Sequence, residues 1–570
     1  MGSGVACRRR PGRCAADRPL AADRGVATMS ARYDVVIVGG GFSGSLLARM
    51  LARGGLRTLI VERGSHPRFA LGESSTPLAN LALERIALAD EWPQLYSLAA
   101  WGRWERDLPH LRRGLKRGFT FYRQREGQSF AAESDNADRL LVAASPDDAI
   151  ADTQWLRADV DAWLIEQARD QGAEVRERTD LVEFEEMDAG LRLVLRNLDD
   201  SREVTIEAGF AVDAAGAGGA LARFVENPLR TNSIPFSSHL LYGHFEGLLP
   251  FEQVVPLDVS GDPYPESRAA VHHLMRDGWM YQLRFDHGVT SAGLVLPGAG
   301  QERNEDPAMA LKRHLDRYPS IAAQFECASA VRPVAKTGRL QYRRARAAGR
   351  RWALLPHALA FYDALFSPGL AWSVLGVERL AELLLDKRVD RTSGLDKYAT
   401  LLGREADHLE RLMAGAYALL GDFGDFVPYS QLYFVAASYQ ETAQRLLDPP
   451  AGPLNGWAWQ GFLGAEDPLL GDAVATFSRR ALERRRRRAA GEIPSAAEFA
   501  ESIAAATEPR NVAGLFDPAR RNLYPADPEV VRRRASLLGL VPSEFEARAS
   551  RLRSPATFSE ATRGRLDAGR

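Results

Sequence analysis

The order of apolar and polar positions divides the chain into an α/β front, a strand-rich middle and a helical end. Residues 33–38 form a short apolar run, interrupted only by Asp34 and rich in β-branched side chains, as a strand buried on both faces requires. Gly39-Gly40-Gly41-Phe42-Ser43-Gly44 follows at once, and residues 45–53 then carry apolar side chains at helical spacing. A second apolar strand over 56–61 ends in Glu62-Arg63, which completes one βαβ unit. Further on, 155–171 reads as a helix, 191–196 and 203–207 as a hairpin, 210–213 as a buried strand, and 258–296 as mostly strand. Beyond Leu370 the period becomes helical over 373–386, 396–420 and 472–490, with interruptions such as Asp448-Pro449-Pro450. No internal repeat is visible.

With 570 residues, 45% hydrophobic and 26% charged, the chain has enough apolar material for a large core, which excludes disorder as its main theme. Lys+Arg 73 against Asp+Glu 74 leaves a net charge of −1, so no general attraction to nucleic acid or an anionic membrane is expected. Only five lysines are present, so the basic residues are overwhelmingly arginine and the Arg-rich run 479–488 reads as an exposed helix end. Three cysteines, Cys7, Cys14 and Cys327, supply no disulfide framework, and the expectation is a cytoplasmic protein. No apolar stretch reaches eighteen residues, so no transmembrane segment is expected; the region 352–366 contains His357 and Asp363 and reads as core. Residues 1–28 are Arg-rich without an apolar segment, and Met29 stands just before the first strand, which points to a disordered extension or an upstream start. HExxH, GxSxG and GxxxxGK[ST] are absent, and the ten histidines do not cluster, so no metal site is expected.

The spacing Gly39-x-Gly41-x-x-Gly44 carries weight because it lies between a buried strand and a helix, with Glu62 closing the next strand 18 residues later. Gly39 permits the tight turn, Gly41 lets backbone approach a pyrophosphate at the helix N-terminus, and Gly44 lets the helix pack close to the sheet. Glu62 would bond two ribose hydroxyls and repel a 2′-phosphate, so an adenosine diphosphate moiety is expected and NADP is disfavoured.

Four further segments carry a family resemblance. Val212-Asp213-Ala214-Ala215-Gly216-Ala217-Gly218-Gly219 resembles the second flavin fingerprint of glutathione-reductase-like proteins, and Trp155-Leu156-Arg157-Ala158-Asp159-Val160-Asp161 resembles the Arg-containing segment of hydroxylases of the p-hydroxybenzoate hydroxylase type. Gly72-Glu73-Ser74-Ser75-Thr76-Pro77 and Phe361-Tyr362-Asp363-Ala364-Leu365-Phe366-Ser367-Pro368-Gly369-Leu370 are similar to flavin-dependent halogenases and their non-halogenating relatives, including geranylgeranyl-reductase-like proteins. The resemblance covers about 33–395. It implies an α/β plus α+β architecture, with a Rossmann-type FAD domain of the glutathione-reductase class, an inserted β-rich substrate domain and a helical C-terminal region. The boundaries it suggests are an extension over 1–31, an FAD domain over 32–395 interleaved with substrate-domain segments at about 95–150 and 225–300, and helices over 396–570. FAD is the implied cofactor. Its implied contacts are Gly39, Gly41, Phe42, Ser43 and Gly44 at the turn, Glu62 and Arg63 after the second strand, Glu73 and Ser74, Arg157, Asp213 and Gly216, His357, and Asp363, Gly369 and Leu370 in the loop beside the flavin.

Within that resemblance, several positions depart from the halogenating pattern. The family places a lysine near the Gly-Glu segment to bind or direct hypohalous acid, and this chain has no lysine before Lys116. Its Trp-x-Trp-x-Ile-Pro signature is reduced to Trp279 and Tyr281, followed by Leu283-Arg284. Pro368 removes one backbone donor from the loop that holds halide in relatives, and His357 stands where relatives carry Asp. The expectation is therefore an FAD-dependent oxidoreductase or monooxygenase acting on an aromatic or lipid-like small molecule, halogenase-like without halogenating, and the catalytic residues are left unassigned. Its rivals are a halogenase with a displaced catalytic residue and a flavin-binding or flavin-free scaffold. Reducing equivalents would come from a separate flavin reductase or from transient NAD(P)H docking.

Overall fold

The computed structural model describes residues 31–131, 135–300, 305–549 and 558–559. The expected extension, apart from Ala31, lies outside the described residues, as do Cys7 and Cys14. Two sheets organise the rest. The strands are β1 (Arg32–Val38), β2 (Thr58–Val61), β3 (Arg113–Lys116), β4 (Gly118–Arg123), β5 (Arg139–Ala143), β6 (Asp152–Trp155), β7 (Glu174–Arg176), β8 (Thr179–Glu186), β9 (Leu191–Asn197), β10 (Glu203–Asp213), β11 (Ser238–Glu246), β12 (Ala270–Met275), β13 (Gly278–Arg284) and β14 (Val289–Pro297).

The first sheet runs β7-β2-β1-β10-β9-β8, with β1 parallel to both β2 and β10. Val35 to Val38 are buried because parallel neighbours flank them and helices cover them, which is why the run shows no polar alternation. Helix α1 (Phe42–Arg53) packs against the helix Arg157–Asp170 and against the helix Gly369–Leu385. The expected strands 203–207 and 210–213 are one element: β10 begins antiparallel to β9, then runs parallel to β1 and to Trp352–Leu354. Trp155 ends β6 instead of opening a helix, because it pairs with Arg113 on β3; the helix starts at Arg157.

The second sheet runs β11-β14-β13-β12-β4-β5 and is closed at the β5 edge by the two-residue strand Leu523–Tyr524, parallel to β5. The last part of the chain thus joins this sheet. Helices Arg391–Leu419 and Phe423–Leu446 share the main core with the first sheet and with helix α2 (Pro77–Ala89). The second of these helices, which the sequence pattern conceals, contains Pro428 and is capped by Asp422, whose carboxylate accepts from the N–H of Asp425. An ion pair buried on both sides joins these helices to the flavin-loop helix: Arg379 on Gly369–Leu385 donates to Glu405 at 2.6 and 2.7 Å, and Glu405 also accepts from Trp372 Nε1 and Phe462 N–H. Four arginines at the end of helix Pro468–Ala489 are paired locally, Arg484 with Asp425, Arg488 with Asp422 and Asp425, Arg486 with Glu483 and Arg487 with Glu492. Among the described residues no helix is long and apolar enough to cross a membrane.

Candidate active site

The β1–α1 turn is shaped by close approaches. Gly39 has φ +116, and a Cβ there would lie 2.5 Å from the carbonyl of Ala214 as the chain leaves β10. A Cβ on Gly44 would lie 2.1 Å from the Gly39 oxygen, so only glycine lets α1 start directly above the turn. Gly41 is different: the nearest atoms to its Cβ position are Arg68 Nη2 at 3.4 Å, Asp161 Oδ2 at 3.8 Å and Arg157 Nη2 at 3.9 Å. A Cβ at Gly41 would thus meet only the ends of charged side chains, two guanidinium groups and a carboxylate, at ordinary contact distance. The N–H groups of Phe42, Ser43 and Gly44 form the first turn of α1 there, and that turn contains no acidic residue.

Glu62 reaches this turn from β2. Its Oε2 accepts from Gly40 N–H at 2.7 Å and its Oε1 from Gly64 N–H at 2.8 Å, while Arg68 lies 3.4 Å away. Arg63, expected beside it, is instead 73% exposed and faces Asp180 at 3.9 Å. Arg157 is held by Asp161 at 2.7 and 2.9 Å and donates to the carbonyls of Leu71 and Gly72, with its guanidinium 4.7 Å from the Phe42 ring centroid. It fastens the Gly-Glu segment to the turn. Asp213, at the end of β10, accepts from Ala215 and Leu221 N–H, and burial pushes its carboxyl up to about 6, so it holds the Gly216 turn. Arg344, which sequence reasoning missed, bridges the Ala217 and Ala358 carbonyls and brings that turn beside His357. Burial first and Arg157 second lower His357 to about 4, so its imidazole is neutral near pH 7, with Nδ1 3.2 Å from Ser373 Oγ.

On the far side of the Gly-Glu segment, Glu73 Oε1 lies 2.9 Å from His244 Nε2 on β11, tying the two sheets together. Ser74 Oγ and the Gln154 amide are buried without hydrogen-bond partners. A lysine on β3, far along the chain, nevertheless lies close in space to this segment. Lys116 is fully buried and donates from Nζ to the Ser75 carbonyl at 2.6 Å, inside the Gly72–Pro77 segment. Its ammonium also lies 4.0 Å above the Phe119 ring, and its cross-strand partner on β6 is Asp152. Burial lowers the Lys116 ammonium and raises the Asp152 carboxyl, each shift opposed by the charge of the other. One signal could have exposed Lys116: a lysine flanked by Gly114 and Gly118 in a chain that otherwise uses arginine.

Phe119 and Asp152 line a cavity of about 520 Å³ between α2, the β4–β5 edge and the C-terminal helices, with Tyr433, Phe434 and Tyr524 on other walls. Phe366 of the flavin loop stacks on Tyr433 at 5.0 Å, so loop and cavity share one aromatic cluster. Asp363 is occupied by Leu365 N–H and the Tyr417 hydroxyl, and burial raises its carboxyl to about 7. Gly369 and Leu370 open the helix that follows Pro368, and their N–H groups belong to its first turn. Trp279 and Tyr281 pack in the core of the second sheet and do not line this cavity.

The helix start without acidic residues, the Glu62 carboxylate beside it and the second turn returning alongside suit a dinucleotide. The unpartnered Ser74 and Gln154 groups fit FAD. The FAD dependent oxidoreductase family matches residues 34–345, more than half of the chain, and the protein belongs to that family. It is 28% identical over 420 residues to the monodechloroaminopyrrolnitrin halogenase PrnC of Pseudomonas fluorescens, covering 71% of each chain. It is 29% identical over 351 residues to the tetracycline 7-halogenase of Kitasatospora aureofaciens, covering 60% of this chain and 61% of that one. The crystal structure of halogenase PltM with phloroglucinol and FAD shares the fold, with a TM-score of 0.75 at 21% identity over 86% of this chain and 99% of that one. The protein is thus an FAD-dependent, halogenase-like enzyme.

Proposed function

We propose that this enzyme halogenates a small organic substrate, with Lys116 as the residue that captures the oxidised halogen. The observation that carries the reading is the Lys116 amine against the Ser75 carbonyl at 2.6 Å, with Phe119, over whose ring it lies, on the cavity wall. Of the departures from the halogenating pattern, the missing amine is the one that Lys116 would make good. Similarity to PrnC and to the tetracycline 7-halogenase supports the same reading.

When bound in reduced form, FAD supplies, with oxygen, a two-electron oxidation that turns halide and a proton into hypohalous acid, leaving water and oxidised flavin. The protein's part is positional. Gly39 to Gly44 and Arg157 would hold the diphosphate, Glu62 the ribose, and the first-turn N–H groups of Gly369 and Leu370 the halide. Lys116 as the ammonium donates a hydrogen bond to the hypohalous oxygen, which polarises the O–halogen bond beside the cavity. The apolar walls exclude water that would otherwise compete with the substrate.

Pro368 supports a second reading, monooxygenation, since it removes one halide donor. A cytoplasmic location and a separate flavin reductase complete the proposal. The deciding experiment supplies reduced flavin, oxygen, chloride or bromide and a panel of phenols and indoles, and reads products by mass spectrometry. A flavin-dependent halogen isotope pattern is expected; hydroxylated products alone would move the assignment to monooxygenase.

A further inference from the structure

The helix Gly369–Leu385 is entered through Pro368, which has no N–H to give, and no side chain caps its first turn. The imidazole of His357 lies against that turn. A Cβ on Gly369 would come within 2.9 Å of His357 Cε1 and 3.0 Å of Nε2, so it is the missing side chain at Gly369 that lets the ring edge approach the helix start. The opposite edge is held one turn further along the same helix, with Nδ1 3.2 Å from Ser373 Oγ, and the ring stands edge-on to Phe361 and Trp372 at 5.9 and 6.5 Å. Nε2 makes no hydrogen bond among the described residues. His357, Asp363, Pro368, Gly369 and Trp372 share the wall of a cavity of about 20 Å³, which has room for one water or one monatomic ion and none for an organic substrate.

We infer that His357 donates from Nε2 to the halide at this helix start, in place of the N–H that Pro368 lacks; this rests on the halogenase reading, which puts halide at Gly369 and Leu370. Ser373 sets the direction. Its hydroxyl donates to Nδ1, which leaves the single proton of a neutral ring on Nε2, turned toward Gly369. The helix start contributes its free N–H groups and its dipole from the other side of the ion.

The charges around the cavity agree with an anion there. Burial first and Arg157 second lower the imidazole to about 4, so near pH 7 it has one proton to place, and the Arg157 cation itself favours an anion. Asp363 has both oxygens engaged, Oδ1 by the Leu365 N–H and Oδ2 by the Tyr417 hydroxyl, and burial raises its carboxyl to about 7. Below that pH it brings little negative charge to the ion. Leu409 and Met413, the wall residues from helix Arg391–Leu419, are apolar.

The test titrates the FAD-loaded protein with chloride and reads line broadening of the chloride-35 resonance, with no turnover. His357→Phe keeps a ring and removes the donor; it should weaken chloride binding about tenfold or more while FAD affinity stays within about twofold. His357→Gln, whose amide NH₂ reaches the place of Nε2, should regain most of the affinity, and Ser373→Ala, which frees the tautomer, should lose a few-fold. Wild-type affinity should fall as pH rises through about 7, because ionised Asp363 repels the ion, and Asp363→Asn should abolish that fall; an affinity that rises over this range overturns the arrangement. Equal affinity in wild type and His357→Phe overturns the assignment. So does an equal loss in the Phe and Gln variants, which marks packing alone, or a loss of FAD affinity with chloride unchanged, which puts His357 on the cofactor. Product assays with phenol separate the two readings. A wild type that halogenates with a halide KM indifferent to His357→Phe overturns the His357 assignment alone. A wild type that binds chloride through His357 and forms no halogenated phenol overturns the halogenase reading and leaves the ion site standing.

Discussion

The Gly39–Gly44 turn and Glu62 come from one βαβ unit, whereas Lys116 with its acceptor Ser75, and Asp152 and Tyr433 on the cavity wall, come from separate elements. In the first case the constraint is steric and local: a Cβ on Gly39 or Gly44 would collide with backbone, so only glycine can occupy those positions. In the second, chemistry arises from burial and strand register. Nothing in the local sequence marks Lys116 as sitting against Ser75, because the contact spans 41 residues and depends on how β3 meets the Gly-Glu segment. Local constraint makes a site readable and robust; assembled chemistry makes it adjustable.

The comparison can be tested by damaging each end separately. Lys116→Met should reduce halogenated product on the order of 10²-fold or more, as loss of a positioned donor does, while flavin content and flavin oxidation persist. Loss of flavin in that variant would merge the two ends into one unit. Gly41→Val should do the reverse, since its branched side chain would stand against the ends of Arg68 and Arg157: a folded protein that purifies without flavin is expected, and a yellow, stoichiometrically loaded one would refute the pyrophosphate assignment. Arg379→Met should cost about 3–5 kcal/mol in chemical denaturation, because it strands the Glu405 carboxylate between the flavin-loop helix and the C-terminal helices. An unchanged midpoint would mean that these helices fold independently. Glu62→Ala should weaken FAD binding by about 1.5–3 kcal/mol by titration calorimetry, the usual effect of losing hydrogen bonds to a charged acceptor. The smallest change is expected from Pro368→Ser: it restores one N–H to the halide loop and should lower the halide KM by a few-fold, about 1 kcal/mol. A raised halide KM would show that the loop does not hold halide.

How much was legible in the sequence follows the same division. The βαβ front, its glycines and Glu62 were readable because periodicity and steric exclusion act over short distances. The exposure of Arg63 was not legible, because a residue one step past a strand end points to the opposite side from its neighbour, and that side is solvent. The helix Phe423–Leu446 was hidden because Pro428 and side chains buried all round remove the amphipathic signal. Asp363 sits where the family pattern puts it, yet its carboxylate is engaged by Tyr417 from a helix 54 residues away, a contact that no local pattern announces.

The strand Leu523–Tyr524 bears on how the protein is made. It pairs with β5, and Tyr524 forms part of the cavity wall, so the wall is completed by a segment translated long after β5. The nucleotide-binding part leaves the ribosome long before, with the β5 edge still open to water and to other strands. A polypeptide cut short of Leu523 would keep its flavin and its capacity to react with oxygen while lacking the chamber that directs the product. In a cell, such a fragment drains reducing equivalents into reactive oxygen species, and this favours removing truncated copies promptly.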